Sequence, residues 1–391
     1  MKHYTYLIVG GGMTADAAVR GIRQNDADGS IGMLSNEKYP PYNRPPLTKG
    51  LWKGSSIEKI WRGTQQRDVD LLLGTTATEL NRAQKWVTDQ AGEQYHYEFL
   101  LLATGGRPRK LPIENENMIY YRYLEDYYRL QEMTQSKHAF SVIGGSFIGS
   151  EIGAALAMNN KAVSMVFKEK GIGARNFPPD LSEFLTRYYR DRGVKVFPNA
   201  EIENVVNQEN DQVIILRNGQ QIRSEQVVAG IGIEANDRLA ASAGLEVDRG
   251  IVVNEFLQTS DPSIYAAGDV ASFYNPSLNK RIRVEHEDNA NEMGLTAGQN
   301  MAGKRIPYTH LPYFYSDLFD LGYEAIGELD AGYELVEDWQ EPFQKGVVYY
   351  LHAQRVRGVL LWNLWGKIDQ ARQLIAKPGP FSPEDVRGFI R

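Results

Sequence analysis

The 391-residue chain contains no cysteine. That absence removes structural disulfides, thiolate nucleophiles, zinc–thiolate sites and cysteine-ligated iron–sulfur clusters. Any redox chemistry must then reside in a bound cofactor. An excess of charge of one sign is also lacking: 43 basic and 49 acidic residues leave a net charge of -6. A mildly acidic chain of this kind is not a dedicated nucleic-acid binder. No stretch approaches the ~18–20 apolar residues of a membrane helix. The first residues, Met-Lys-His-Tyr-Thr-Tyr, enter an apolar strand pattern without a secretory core or an Arg/Ser-rich presequence. The expectation is a cytoplasmic protein with neither a membrane nor a nucleic acid as partner, and no metal site is assigned.

What is present is ordinary globular usage, with 42% hydrophobic and 24% charged residues. The length predicts two or three domains. The strongest organisational signal is an imperfect repeat. Residues 4–15 (YTYLIVGGGMTA) and 139–151 (AFSVIGGSFIGSE) each read as apolar strand, Gly-rich turn and helix. Each helix is followed by a further apolar run, at 31–34 and 162–167. Strand–helix–strand twice implies parallel sheets with right-handed crossovers. Apolar strands ending in glycine follow at 99–105, 227–232 and 264–268. After Pro307 the texture changes, and strands at 323–328, 346–351 and 356–364 predict a mixed antiparallel sheet followed by a helix at 369–375. Residues 330–344 are acidic, aromatic and poorly periodic, so a loop is expected there. Trp362 and Trp365 could face a partner or the flavin domain, and the core, the commoner fate of such aromatics, is expected.

A dinucleotide pyrophosphate needs close backbone approach and a helix N-terminus that offers free N–H groups. Gly10, Gly12 and Ala15 supply the Gly-x-Gly-x-x-Ala pattern after a strand. In the second copy Gly144 and Gly149 match the outer glycines, and Ser146 replaces the middle one. The ribose-binding acid belongs at the end of the second strand of each unit. Glu169 stands there in the second unit and favours NAD over NADP, a preference softened by Lys168 and Lys170. In the first unit either Asn36 or Glu37 fills the place. Two dinucleotides in a thiol-free chain point to a flavin that accepts hydride from a nicotinamide. Three segments support this: 42–49, with cations Arg44 and Lys49; Thr104, Gly105 and Arg109, which close the first unit; and Gly268-Asp269, a strand-end carboxylate suited to a ribityl hydroxyl. Gly232 ends the strand that closes the second unit.

Together these segments resemble the two-dinucleotide-binding flavoprotein reductases, in the ferredoxin/rubredoxin/putidaredoxin reductase branch and closest to apoptosis-inducing factor. The resemblance runs through 7–15, 41–49, 100–109, 142–151, 193–197, 227–236, 264–274, 283–303, 315–327 and 345–364. It implies an α/β fold: two Rossmann-like dinucleotide-binding domains, glutathione-reductase-like, plus an α+β C-terminal domain. The implied boundaries are 1–111 and 237–311 for the FAD-binding domain, 112–236 for the NAD(H)-binding domain and 312–391 for the C-terminal domain. FAD and NAD(H) are the implied cofactors. Arg44 and Arg109 match flavin-nucleotide contacts, and Asp269 matches the ribityl-binding acid. Lys49 and Glu151 match a Lys–Glu pair beside the reactive flavin edge, and Phe147 an aromatic residue between flavin and nicotinamide. Glu285-His286 match the start of a helix, about 287–301, against the flavin, and Tyr315 stands where relatives have Trp.

On the residues alone, Lys49–Glu151 reads as an ion pair, Phe147 as core and His286 as a helix-start residue. The resemblance assigns function to the first three and leaves His286 open. It also departs from the animal factor: only about 15 residues lie between Asp330 and Lys345, a normal long-loop length. An apoptotic or DNA-binding role does not carry over. Three outlets for the electrons remain: a small iron–sulfur protein, a long-lived reduced complex read by a partner, and oxygen or quinone. An acidic iron–sulfur partner calls for a basic rim, for which 280–283 (KRIR) and Lys304-Arg305 are the candidates.

Overall fold

The structure, a computed structural model, describes residues 2–391. Two compact units emerge. The first contains Ser56–Arg107 and Glu234–Pro312 together with the chain up to Arg44; the second contains Pro45–Ser55, Pro108–Ile233 and Tyr313–Arg391.

The first unit is built on a seven-stranded sheet. Lys2–Val9 lies between Ile31–Ser35 and Gln94–Leu102, parallel to both. Leu7 and Ile8 are fully buried, as expected of a central parallel strand covered on both faces. Asp70–Leu73 and Ile264–Ala266 add further parallel strands at either side. Val9 is in register with both Leu34 and Leu102, so the three strands end together where the glycine turn begins. Open α/β sheets bind their ligands at such carboxyl ends. Ala77–Asn81 and Trp86–Asp89 extend the same sheet antiparallel, an addition the repeat does not announce.

The helices Met13–Arg23 and Glu287–Met301 pack against each other through small residues. A Cβ on Gly21 would lie 2.2 Å from the Leu295 carbonyl, and one on Gly298 would lie 2.1 Å from that of Ala18. Side chains at these positions would force the helices apart and move the start of Glu287–Met301.

The second unit repeats the parallel plan with Lys195–Phe197, Ala162–Val166, Ala139–Ile143, Gln226–Ala229 and Ile119–Tyr120, in that order. A three-stranded antiparallel sheet, Ile202–Gln208, Asp211–Leu216 and Gln221–Ser224, is appended to it. The C-terminal part forms a five-stranded antiparallel sheet in the order Tyr313–Leu318, Leu321–Gly327, Arg355–Trp362, Lys345–His352, Glu334–Glu341. The helix Ile368–Ala376 packs on it.

Two expectations need correction. The 330–344 stretch is not a loop throughout, because Glu334–Glu341 is an edge strand paired with Lys345–His352. Only Val336 of that strand is buried, so no period-2 apolar signal exists, and its acidic side chains are those an unpaired edge tolerates. Trp362 is in the core, but Trp365 is 51% exposed because it lies past the strand end in the following loop.

Candidate functional site

In the first unit, Gly10 leaves the central strand with φ +131°, and a Cβ there would lie 2.1 Å from the Ala103 carbonyl oxygen. The turn can therefore only be glycine. At Gly12 the nearest atom to an added Cβ is Arg44 Nη2, at 3.8 Å, so the backbone there is open to a close ligand. Gly12 caps Met13–Arg23 with no side-chain bond, which leaves the first-turn N–H groups without a side-chain cap. Ala15 is buried.

Of the two ribose candidates, Asn36 is exposed, whereas Glu37 is built into a cluster. Arg44 Nη2 donates to Glu37 Oε1 and Tyr42 Oη to Oε2, both at 2.5 Å. Arg44 Nη1 also reaches Tyr42 Oη at 3.1 Å. Tyr42 is a partner the sequence reading missed; its only signal was its closeness to Arg44. Thr104 Oγ1 donates to the Asn236 carbonyl (2.8 Å), and Asn236 Nδ2 donates back to that of Thr104 (2.9 Å). Gly105 accepts from Asn236 N–H (2.9 Å). Gly268 packs where a Cβ would lie 2.3 Å from Thr14 Oγ1, which brings Asp269 to the start of the first helix.

Glu285 accepts from Arg283 Nη2 at 2.7 Å, and Arg283 Nη1 donates to the Asp269 carbonyl at 2.9 Å. Arg281 likewise donates to the carbonyls of Val253 and Ser272 (3.1 and 2.5 Å). These two arginines are thus engaged with their own unit. His286 precedes Glu287–Met301, and desolvation pushes its imidazole down to about 4 against the pull of Asp269 and Asp288, so it is neutral at physiological pH.

In the second unit, Gly144 takes φ +119°, with a Cβ position 2.3 Å from the Gly230 carbonyl oxygen. Ser146 caps Phe147–Met158, but its side chain makes no cap bond. The helix N-terminus stays open, so a serine in the middle position fits a pyrophosphate. Gly149 packs against Gly144, where a Cβ would lie 2.3 Å from its carbonyl oxygen. Arg109 N–H donates to Gly232 (2.9 Å) and Arg109 Nε to Ile233 (3.0 Å). Glu169 is paired with Arg175 Nη2 at 2.5 Å. Two bonds fix the loop that carries Arg175: Ala331 N–H donates to the Arg175 carbonyl (3.0 Å), and Gly173 N–H to that of Gly145 (2.8 Å).

Phe147 is exposed and meets Phe314 edge-on, with centroids 5.3 Å apart. Lys49 Nζ and Glu151 Oε1 are 2.8 Å apart, with side chains only 12% and 6% exposed. Lys49 Nζ also lies 5.2 Å from the Tyr315 ring centroid. Two further donors meet Glu151: Thr48 Oγ1 on Oε2 (2.5 Å) and Ser316 Oγ on Oε1 (2.6 Å). Neither hydroxyl carried a sequence signal, since Ser316 stands 165 positions from its partner.

A model of the pyridine nucleotide-disulphide oxidoreductase family matches residues 4–294. The chain belongs to that family. A model of the C-terminal part of mitochondrion-associated apoptosis-inducing factor matches residues 297–340 and 334–377. Apoptosis-inducing factor 1, mitochondrial, of Dictyostelium discoideum is 35% identical, over 96% of this chain and 79% of that protein. Putidaredoxin reductase of Pseudomonas putida is 31% identical, over 96% of this chain and 93% of that protein. Among solved structures, the covalent putidaredoxin reductase–putidaredoxin complex superposes with TM-score 0.90 and 30% identity, covering 98% of this chain and 95% of that one. This member of the family is an NAD(P)H-dependent FAD oxidoreductase of the ferredoxin-reductase type, with FAD and NAD(H) as cofactors. Having no cysteine, it does so without disulphide chemistry.

Proposed function

We propose that the protein takes two electrons from NADH and delivers them to a small iron–sulfur protein of the ferredoxin or rubredoxin kind. The observation that carries this is full-length likeness to putidaredoxin reductase in a chain without a single thiol. No internal disulfide can receive electrons, so the flavin either hands them to an outside acceptor or holds them. When bound, the flavin supplies the chemistry of accepting hydride from the nicotinamide and releasing electrons one at a time.

The chain's own residues bind, orient and set charge. Gly10, Gly12 and Ala15 with the start of Met13–Arg23 receive the FAD pyrophosphate, and Glu37, steadied by Arg44 and Tyr42, receives its ribose. Thr104, Gly105, Arg109, Gly268, Asp269, Glu285, His286 and Tyr315 complete the flavin contacts. Gly144, Ser146 and Gly149 with the start of Phe147–Met158 take the NADH pyrophosphate, while Glu169 takes its ribose and Gly232 closes the turn. Phe147 covers the nicotinamide. Lys49, held by Glu151, places a cation toward the flavin. The domains are those drawn at 1–111, 112–236, 237–311 and 312–391, and a cytoplasmic location belongs to the same proposal. Among the described residues, no helix is long and apolar enough to cross a membrane.

The match to the apoptosis-inducing factor C-terminal model supports a second reading, in which the NADH-reduced protein persists and a partner reads it. One experiment separates the two. The holoprotein is reduced with NADH without oxygen, then mixed with ferredoxins and rubredoxins and, separately, with air, while the flavin spectrum is followed. Rapid reoxidation by an iron–sulfur protein is expected. A reduced spectrum that survives both acceptors and air would refute the first reading in favour of the second.

A further inference from the structure

Glu151 belongs to Phe147–Met158, and its three donors reach it from two other segments. Thr48 and Lys49 come from Pro45–Ser55, and Ser316 comes from the strand Tyr313–Leu318 of the C-terminal sheet. Ser316 is fully buried. A hydroxyl with no access to water makes its bonds inside the protein, and here the acceptor is a carboxylate at 2.6 Å. On the other side of Ser316 is its register partner Tyr323. Burial and the Glu151 charge push the Tyr323 phenol far up.

The three donors are not equivalent. Both hydroxyls are short, neutral and tied to their own backbones. Lys49 brings a charge on a flexible four-carbon stem. Its Nζ shares Oε1 with Ser316, while Thr48 holds Oε2. The two hydroxyls alone give each carboxylate oxygen one donor. The direction of the carboxylate is therefore set before Lys49 is counted.

We propose that Ser316 and Thr48 are positioning residues: they clamp the Glu151 carboxylate, so that Lys49 is aimed by a fixed anion rather than by its own packing. Ser316 does this from the C-terminal sheet, and so makes that sheet part of the electron-transfer apparatus. The inference rests on the proposed reading that Lys49 and Glu151 act on the bound flavin. Without the Ser316 hydroxyl, Oε1 is left to Lys49 alone. The ammonium is drawn further onto the carboxylate and lends less positive charge to reduced flavin. The equilibrium for flavin reduction should fall about tenfold, which for a two-electron couple is about 30 mV more negative.

The test is a potentiometric titration of the holoprotein, with bound FAD quantified for each variant. Ser316→Ala is expected to lower the flavin potential, Ser316→Thr to restore it, and Thr48→Val to move it the same way as Ser316→Ala. Thr48→Val also keeps the test decisive where Ser316→Ala fails to fold. Lys49→Met separates the two levels of the argument. A wild-type potential in Ser316→Ala and Thr48→Val, with a shifted one in Lys49→Met, overturns the clamp and leaves the Lys49 reading standing. An unmoved potential in Lys49→Met overturns that reading and the clamp with it.

Discussion

Removing one member of the Lys49–Glu151 pair should be far worse than removing the other. The two charges are 2.8 Å apart, with side chains 12% and 6% exposed. At an effective dielectric constant of about 20, such charges attract by about 6 kcal/mol, and desolvation cancels most of that. What a mutation costs is then decided by what the surviving partner retains. In Lys49→Met the carboxylate keeps the hydroxyls of Thr48 and Ser316. The loss is close to one charge-assisted hydrogen bond, about 1.5–3 kcal/mol. In Glu151→Leu a buried ammonium and two hydroxyls lose their acceptor together, which costs at least the about 3–5 kcal/mol of a broken buried pair. Glu151→Leu should therefore exceed Lys49→Met by about 2 kcal/mol, and the double variant should recover part of the loss. Urea unfolding of the holoprotein measures this, with far-UV circular dichroism and flavin fluorescence as paired probes whose coincidence licenses a single free energy. If Lys49→Met proves as destabilising as Glu151→Leu, the three-donor account of Glu151 is wrong.

Arg175 neutralises Glu169 from a mostly exposed side chain, a pairing worth about 0–1 kcal/mol. Arg175→Ala should raise the preference for NADH over NADPH by up to about fivefold, because an unpaired carboxylate repels a 2′-phosphate more strongly; an unchanged kcat/KM ratio would remove Arg175 from coenzyme selection. His286 titrates near 4 in the folded chain and near its ordinary 6.5 when unfolded. The unfolded state therefore binds the proton first as pH falls, so stability is full above about 6.5 and declines toward 4. His286→Gln should flatten that decline in thermal unfolding between pH 7 and 4.5, and an identical profile in the variant would refute the assignment.

Much of the site was legible because its signals are local. A glycine turn between an apolar strand and a helix announces itself within a dozen residues, and Gly10 and Gly144 occupy backbone positions that a side chain could not share. The helix expected at 287–301 is Glu287–Met301. The strand Glu334–Glu341 was illegible because an edge strand with one buried residue has no period to read. The choice of Glu37 over Asn36 as the residue held in place depended on Arg44 and Tyr42 folding back over it. The basic run 280–283 illustrates the reverse: its charge is visible in the sequence, but that Arg281 and Arg283 donate to carbonyls of their own unit is not.

The two Gly-rich strand–turn–helix motifs are legible in the residues alone, and the missing cysteine confines any redox chemistry to a bound cofactor. Both follow from the identity of residues taken one short stretch at a time. What surrounds Glu151 is set by long-range packing. Thr48 and Ser316 lie 103 and 165 positions from it, and a serine or threonine gives no sign of which buried carboxylate it will meet. That depends on how the Tyr313–Leu318 strand and the Pro45–Ser55 segment pack against one helix, and such packing is set by the whole core rather than by any pattern within a segment.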